Sequence, residues 1–177
     1  PCMVYSIRRS QKLPISLAEA WDFFSSPKNL KRITPAYMGF DLVGDCPEKM
    51  YPGLFIHYKV KPLFGIPMNW TTEITQVREL AYFVDEQRVG PYRIWHHEHF
   101  FEEIPGGVLM HDTVSYQLPL GPLGDLVHPW LVLPKLNQNP TANLQQGLKW
   151  FGHLVGKHSW NGYRQDDIDE LRFAFSL

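Results

Sequence analysis

The spacing of apolar residues changes twice along this chain of 177 residues. A mixture of β-branched, aromatic and polar residues over residues 3–15 predicts a first strand. Helical spacing follows over residues 16–25, where Ser16 and Glu19 show the pattern of a capping box. Pro27 then suits the first position of a second short helix over residues 27–33. The N-terminal part is therefore predicted to form one strand followed by two short helices.

From residue 38 onward, apolar residues alternate with polar ones, which is the spacing of strands. Six strands are predicted, over residues 39–44, 53–61, 67–77, 82–89, 92–103 and 108–118. The connections between them are short and contain Gly and Pro. Such connections join antiparallel strands, because parallel strands need long crossovers. Together with the first strand, they predict a seven-stranded antiparallel sheet.

Helical spacing returns after residue 124. Pro129 and Pro134 lie within this segment and predict a kink or a break in the helix. A further helix is predicted over residues 143–155, whereas residues 156–177 show no clear pattern. The element order is therefore one strand, two helices, six strands and a C-terminal helix, which is an α+β fold.

Composition and charge narrow the possible functions. Aromatic residues make up 14% of the chain, which fits either an aromatic core or the walls of a ligand pocket. The net charge is −1 and no basic run stands out, so we expect no nucleic-acid partner. The two cysteines form no disulfide framework and match no zinc signature. With no signal peptide and no long apolar run, we expect a cytoplasmic protein without a transmembrane segment.

Alternation along the predicted strands assigns one face of each to the interior. These inward faces are mainly apolar and aromatic, with several polar residues among them. We therefore propose them as the candidate walls and directing groups of a ligand cavity. The candidates are Tyr58, Trp70, Thr72, Asp85, Gln87, Trp95, His97, His99, Phe101, Met110, Asp112 and Tyr116.

The polar members of this set need an explanation, because burying one polar group unpaired costs about 1–3 kcal/mol. Three interpretations stay open. Asp and His could pair across neighbouring strands and stabilise the sheet. They could direct the polar atoms of an apolar ligand. They could also form an acid–base or metal constellation.

For a metal, the pattern His97-x-His99 on one strand is a weak signal, and no other spaced ligand set accompanies it. We therefore predict no metal. No glycine-rich phosphate loop and no nucleophile motif occurs either, so we also expect no cofactor.

Several short motifs resemble those of one known superfamily. They are LPIS at 13–16, AWDFF at 20–24, NL at 29–30, ITP at 33–35, MGF at 38–40, GIP at 65–67 with Trp70, FVDEQ at 83–87, GPY at 90–92, WxHxHxF at 95–101 and LPxGPLG at 118–124. With the element order, they resemble the START-like (SRPBCC) superfamily, which includes the major pollen allergens and polyketide cyclase/dehydrase-like proteins. As a set they look like one uncharacterised bacterial branch of it.

This resemblance implies a helix-grip fold, in which a curved seven-stranded sheet wraps around a C-terminal helix and encloses a cavity. It also implies that related families bind sterols, phospholipids, quinones or hormones, and that a few close polyketide rings. The resemblance covers residues 4–136. We therefore predict a START-like ligand-binding domain over residues 1–136 and an atypical C-terminal extension over residues 137–177.

Three functions follow as hypotheses. The first is binding, transport or sensing of a small apolar molecule such as a lipid, a quinone or an aromatic polyketide-like compound. The second is a cyclase or dehydratase that uses a His–Asp pair as general acid and base. The third is a protein-interaction domain that uses the C-terminal extension as its contact surface. Whether the protein is an enzyme stays open at this point.

Overall fold

The computed structural model describes residues 3–30, 39–61, 66–119 and 121. In these residues the chain forms seven strands, one α-helix and one 3₁₀ turn. The elements in chain order are β1 (Tyr5–Leu13), α1 (Leu17–Phe24), the 3₁₀ turn (Pro27–Asn29), β2 (Asp41–Leu42), β3 (Leu54–Val60), β4 (Met68–Arg78), β5 (Tyr82–Val89), β6 (Ile94–Ile104) and β7 (Gly107–Gln117).

All seven strands belong to one antiparallel sheet, with the order β1-β7-β6-β5-β4-β3-β2. The strands after α1 pair with their neighbours in the chain, while β1 crosses over to pair with β7. Register shifts between β4 and β5 occur at Thr71/Thr72 and at Ile74/Gln76. Such bulges bend a strand and increase its twist, so they contribute to the curvature of the sheet.

Helix α1 begins where the capping box was predicted. The backbone N–H of Ser16 donates to Glu19 Oε2 at 2.9 Å, and the N–H of Glu19 donates to Ser16 Oγ at 3.3 Å. The helix buries Ala20, Trp21, Phe23 and Phe24 and packs on β6 and β7. Of the second helix predicted over residues 27–33, the structure describes only a 3₁₀ turn of three residues and its cap.

The face of the sheet on which α1 packs is the inner face. At its α1-covered end, Trp21 makes edge contacts with Phe83 and Phe101, at ring-centroid distances of 6.2 and 5.7 Å. These residues belong to one buried cluster, which we call the core half. Its other buried members on the sheet are Leu13, Leu54, Ile56, Ile74, Val108 and Met110.

Other predicted features fall outside the described residues. They include the C-terminal helix after residue 124, the further helix over residues 143–155 and the whole extension over residues 137–177. Among the residues that are described, no helix is long and apolar enough to cross a membrane.

Candidate functional site

Four polar side chains meet near the middle of the inner face. Asp85 on β5 lies opposite His97 on β6, and His99 on β6 lies opposite Asp112 on β7. His97 and His99 are two residues apart on one strand, so they share a face, and their ring centroids are 3.8 Å apart. We call these four residues the polar cluster. The antiparallel register is what brings them together from three neighbouring strands.

The two carboxylates lie on opposite sides of the imidazoles. Asp85 Oδ2 is 3.6 Å from His97 Nδ1 and 3.2 Å from His99 Nε2. Asp112 Oδ1 is 3.3 Å from His97 Nε2 and 2.6 Å from His99 Nδ1. Each imidazole therefore has one ring nitrogen directed towards each carboxylate.

The electrostatics of the cluster favour charge separation between His99 and Asp112. Burial lowers the pKa of His99, but the carboxylates of Asp112 and Asp85 raise it by more, and the result is a pKa of about 9. Burial raises the pKa of Asp112, but His99 and His97 lower it further, to well below its usual range. The two carboxylates thus favour the protonated form of His99, and the two imidazoles favour the ionised form of Asp112.

The hydrogen bonding of the cluster is incomplete. His99 Nε2 makes a well-aligned hydrogen bond to Asp85 Oδ2. His97 Nε2 and His99 Nδ1 are buried and lie at ion-pair distance from Asp112 Oδ1, although neither makes a well-aligned hydrogen bond to it. Cross-strand pairing between His and Asp therefore accounts for much of the cluster.

The cluster also has the make-up of a metal-ligand set. One atom each from Asp85, His97 and His99 lies within 4.8 Å of the other two. The side chains of these three residues are only 15%, 14% and 10% exposed. No metal was predicted from the sequence, because a His-x-His pattern on a strand is a weak signal and no other spaced ligand set accompanies it.

Beyond the polar cluster, away from α1, the inner face is aromatic. Trp70 and Trp95 make an edge contact with ring centroids 5.5 Å apart, and Trp95 also packs on Tyr116 at 6.1 Å. Tyr58 stacks on Trp70 at 6.0 Å. Tyr92 adds a ring contact of 4.7 Å to Trp95. We call these five residues the aromatic half.

The polar atoms within the aromatic half are joined to one another. Thr72 Oγ1 accepts a hydrogen bond from Trp70 Nε1 at 3.0 Å and shares another with the hydroxyl of Tyr58 at 2.8 Å. Burial raises the pKa of Tyr58 far above its usual range, so this phenol stays neutral. Thr72 therefore orients two aromatic side chains of the inner face, and its place in a ligand cavity stays a prediction.

Gln87 is likewise used by the protein itself. Its Nε2 donates to the carbonyl of Tyr92 at 2.6 Å, and its Oε1 accepts from the backbone N–H of Tyr92 at 3.3 Å. A Cβ at position 90 would lie 2.2 Å from Gln87 Oε1, so this connection needs Gly90. Gln87 on β5 thus reaches across the β5–β6 turn and holds Tyr92 in the aromatic half.

Phe101 and Met110 were also predicted as cavity walls. Both are buried in the core half, directly opposite each other on β6 and β7. Phe101 also contacts Phe24 of α1, at a ring-centroid distance of 5.7 Å. Phe101 is therefore covered by α1, whereas Tyr58, Trp70, Trp95 and Tyr116 belong to the aromatic half.

The sequence analysis missed inward-facing residues on β1. Arg9 lies opposite Asp112, and Gln11 lies opposite Met110 and is buried. Burial lowers the pKa of Arg9, and the charge of Asp112 opposes this shift. The same alternation that assigned the other strands would have placed Arg9 and Gln11 on the inner face, had it been applied to the first strand.

A separate depression lies on the surface beside α1. It is lined by Asp22, Ser26, Lys28, Asn29, Glu48 and Lys49. Two ion pairs, Lys28–Glu48 and Lys49–Asp22, cross it. This lining is charged and exposed, so it does not suit an apolar ligand.

No model of a protein family matches the chain, and no curated protein matches it. Solved structures do match. A point mutant of norcoclaurine synthase from Thalictrum flavum, in complex with a transition-state analogue, is similar with a TM-score of 0.60 and 12% identity over 88% of this chain and 98% of that one. Protein Ms6760 from Mycobacterium smegmatis is similar with a TM-score of 0.55 and 16% identity over 88% and 98%. Ara h 8.0201 is similar with a TM-score of 0.51 and 13% identity over 96% of each chain.

These likenesses show the fold. The predicted α+β helix-grip architecture, with its seven-stranded antiparallel sheet, is confirmed. The chain has the fold of START-like proteins, as its motifs indicated. The more specific resemblance to one bacterial branch stays a prediction, because identities of 12–16% extend no further than the fold.

Proposed function

We propose that the protein binds a small, largely apolar molecule, such as a lipid, a quinone or an aromatic polyketide-like compound, against the aromatic half of the inner face. The observation that carries this proposal is the position of an aromatic wall directly beside the polar cluster. The ring centroids of Trp95 and His97 are 6.5 Å apart. Ligand sites commonly combine apolar and aromatic walls with a few polar groups that fix orientation.

The partial exposure of Trp95 supports the same proposal. Its ring contacts Trp70, Tyr92 and Tyr116, yet the residue is only partly buried. Trp70, Trp95, Tyr92 and Tyr116 belong to clusters other than the core half, whereas Tyr58 packs against the core half as well. The proposal assigns this half to a ligand.

In this proposal the polar cluster orients the ligand. Asp85 and His97 retain exposed side-chain fractions of 15% and 14%, larger than the 9% of Asp112. A carbonyl or hydroxyl group on an otherwise apolar molecule would satisfy a polar atom of this pair. One protein of the same fold, the norcoclaurine synthase described above, has been solved in complex with a transition-state analogue. That precedent supports ligand binding by this architecture.

The first test is native mass spectrometry of the purified protein, followed by denaturing extraction of any bound molecule. We expect a discrete apolar compound that leaves the protein on denaturation. In parallel, the fluorescent probe anilinonaphthalene sulfonate is titrated into wild-type protein and into Trp95→Ala. We expect the variant to bind the probe at least about tenfold more weakly, which corresponds to 1.4 kcal/mol.

The matched control is Phe100→Ala, which removes an aromatic ring from the same strand on the opposite face, where Phe100 is 40% exposed. Equal weakening by both variants would contradict binding at the inner face. The extracted compound is also incubated with the wild-type protein and titrated into Trp95→Ala. Chemical conversion of the compound by the wild-type protein, together with retained binding by Trp95→Ala, would favour the cyclase or dehydratase alternative over simple binding.

A further inference from the structure

The two imidazoles of the polar cluster present one nitrogen each to the same carboxylate oxygen. His97 Nδ1 and His99 Nε2 lie 3.6 and 3.2 Å from Asp85 Oδ2. Two ligand atoms bound to one tetrahedral zinc ion are separated by about 3.3 Å, given metal–ligand distances of 2.0–2.2 Å. Two of the three spacings on this side of the cluster are therefore close to those of donors around one common centre, and one ligand atom from each residue lies within 4.8 Å of the other two.

The opposite nitrogens of the same two rings lie beside the second carboxylate. Asp112 Oδ1 is 3.3 Å from His97 Nε2 and 2.6 Å from His99 Nδ1. Histidines that bind a metal usually direct their other ring nitrogen to a carboxylate, which fixes the tautomer and the ring orientation. Asp112 occupies that position for both rings, and Arg9 lies opposite it on β1.

A cation bound on the Asp85 side would hold both rings through the nitrogens that face Asp85, while Asp112 holds them through the opposite nitrogens.

We propose that Asp85, His97 and His99 bind a divalent transition-metal ion of the zinc class, with Asp112 as the carboxylate that positions both imidazoles. Imidazole nitrogen suits zinc and its neighbours in the periodic table, whereas magnesium and calcium prefer sites made of oxygen. Three protein ligands leave one position of a tetrahedral ion open, as in sites where the ion also contacts a water or a ligand. This proposal goes beyond ligand binding and stands without it.

The test uses the full-length protein after treatment with a chelator and desalting. Zn²⁺ is titrated by calorimetry, and Co²⁺ is titrated by visible absorption, which reports tetrahedral coordination directly. We expect one ion per chain and no comparable binding of Mg²⁺. His97→Gln, His99→Gln and Asp85→Asn are expected to abolish the tetrahedral Co²⁺ spectrum. Asp112→Asn is expected to weaken binding about 10- to 100-fold, the effect typical of a carboxylate that orients a ligating histidine.

His96→Gln is the matched control. His96 lies between His97 and Trp95 on the same strand but faces outward, where its Nδ1 is 3.1 Å from Glu86 and its Nε2 is 3.8 Å from Glu98. We expect this variant to bind Co²⁺ like the wild type. If His96→Gln abolishes binding while His99→Gln does not, the ion belongs to the surface and the proposal is wrong.

A second measurement needs no variant, which matters because the polar cluster is buried. Long-range ¹H–¹⁵N spectra of the histidine rings are recorded with and without Zn²⁺ on the wild-type protein. We expect large shifts for the ring nitrogens of His97 and His99, and none for His96 and His111. Absence of Zn²⁺ binding by calorimetry, or shifts confined to His96 or His111, would overturn the proposal.

Discussion

The inner face of this sheet has two ends that are built from similar residues but differ in their surroundings. In the core half, Phe83 and Phe101 pack against Trp21 of α1 and are almost fully buried. In the aromatic half, Trp70 and Trp95 contact each other and other sheet residues, and Trp95 keeps part of its surface accessible. The same alternating pattern thus produces a packed core at one end and an aromatic wall at the other.

The polar cluster separates these two ends. On β6, His97 and His99 stand between Trp95 of the aromatic half and Phe101 of the core half. His99 stacks on Phe83 with ring centroids 4.2 Å apart, so the cluster rests directly on the core. The comparison teaches that burial and aromatic content do not by themselves separate core from site. What distinguishes them here is whether α1 covers the ring and whether a polar cluster adjoins it.

The largest expected effect is on the core half. Trp21→Ala removes the ring that contacts Phe83 and Phe101, and a buried Trp→Ala change costs about 3–5 kcal/mol. Equilibrium urea unfolding measures the loss in the free energy of unfolding. Phe100→Ala, next to Phe101 but facing outward against Tyr82, is the control and should cost about 1 kcal/mol. Similar losses for the two variants would mean that α1 does not stabilise this half.

The next effect concerns the polar cluster. Asp112→Asn removes a buried charge that faces His97, His99 and Arg9, and hydrogen bonds to charged groups contribute about 1.5–3 kcal/mol. Unfolding is measured with a chelator present, so that metal binding does not contribute. The control is Glu86→Gln, which alters an exposed pair with His96 and Arg88 and should cost less than about 1 kcal/mol. If Glu86→Gln lowers the free energy of unfolding as much as Asp112→Asn does, the burial of Asp112 does not make its charge more important for stability.

The aromatic half should respond more weakly in stability. Trp95→Ala removes edge and tilted ring contacts from a partly buried side chain, and we expect a loss of about 1–2 kcal/mol. The comparison between the two halves then becomes quantitative. Urea unfolding should rank Trp21→Ala well above Trp95→Ala, while probe binding should rank them in the opposite order. If Trp21→Ala has the larger effect in both measurements, the aromatic half is not a binding wall that differs from the core half.

The smallest effect tests the turn that positions Tyr92. Gly90→Ala forces the Gln87 side chain away from the backbone of Tyr92, and losing those hydrogen bonds should cost about 1 kcal/mol. In a Gln87→Ala background the added methyl group meets no obstacle, so the same change should cost close to nothing. Unfolding of the two single variants and the double variant measures this coupling. Full additivity would show that Gln87 does not hold the turn.

Much of the fold was predictable because strand periodicity and short turns leave few alternatives. Alternation alone placed Asp85, His97, His99 and Asp112 on one face, since a strand turns its side chains by a fixed period. The capping box at Ser16 and Glu19 was readable for a similar reason, because its partners are three residues apart.

The details of the site were less accessible to sequence. Nothing in the spacing shows that Thr72 is held by Tyr58 and Trp70, or that Gln87 turns back to Tyr92. These contacts depend on rotamers and on the geometry of one turn. Ring orientation also decides which imidazole nitrogen faces Asp85 and which faces Asp112. The metal-ligand arrangement therefore became visible only in three dimensions.

The central claim is that a ligand occupies the aromatic half and not the core half. The most direct test follows the indole N–H resonances in ¹H–¹⁵N spectra while anilinonaphthalene sulfonate, or the compound extracted from the protein, is added. We predict clear shifts for Trp95 and for Trp70, whose indole N–H donates to Thr72, and no shift for Trp21 beneath α1. Shifts confined to Trp21, or unchanged signals from Trp70 and Trp95 at saturating ligand, would contradict the account.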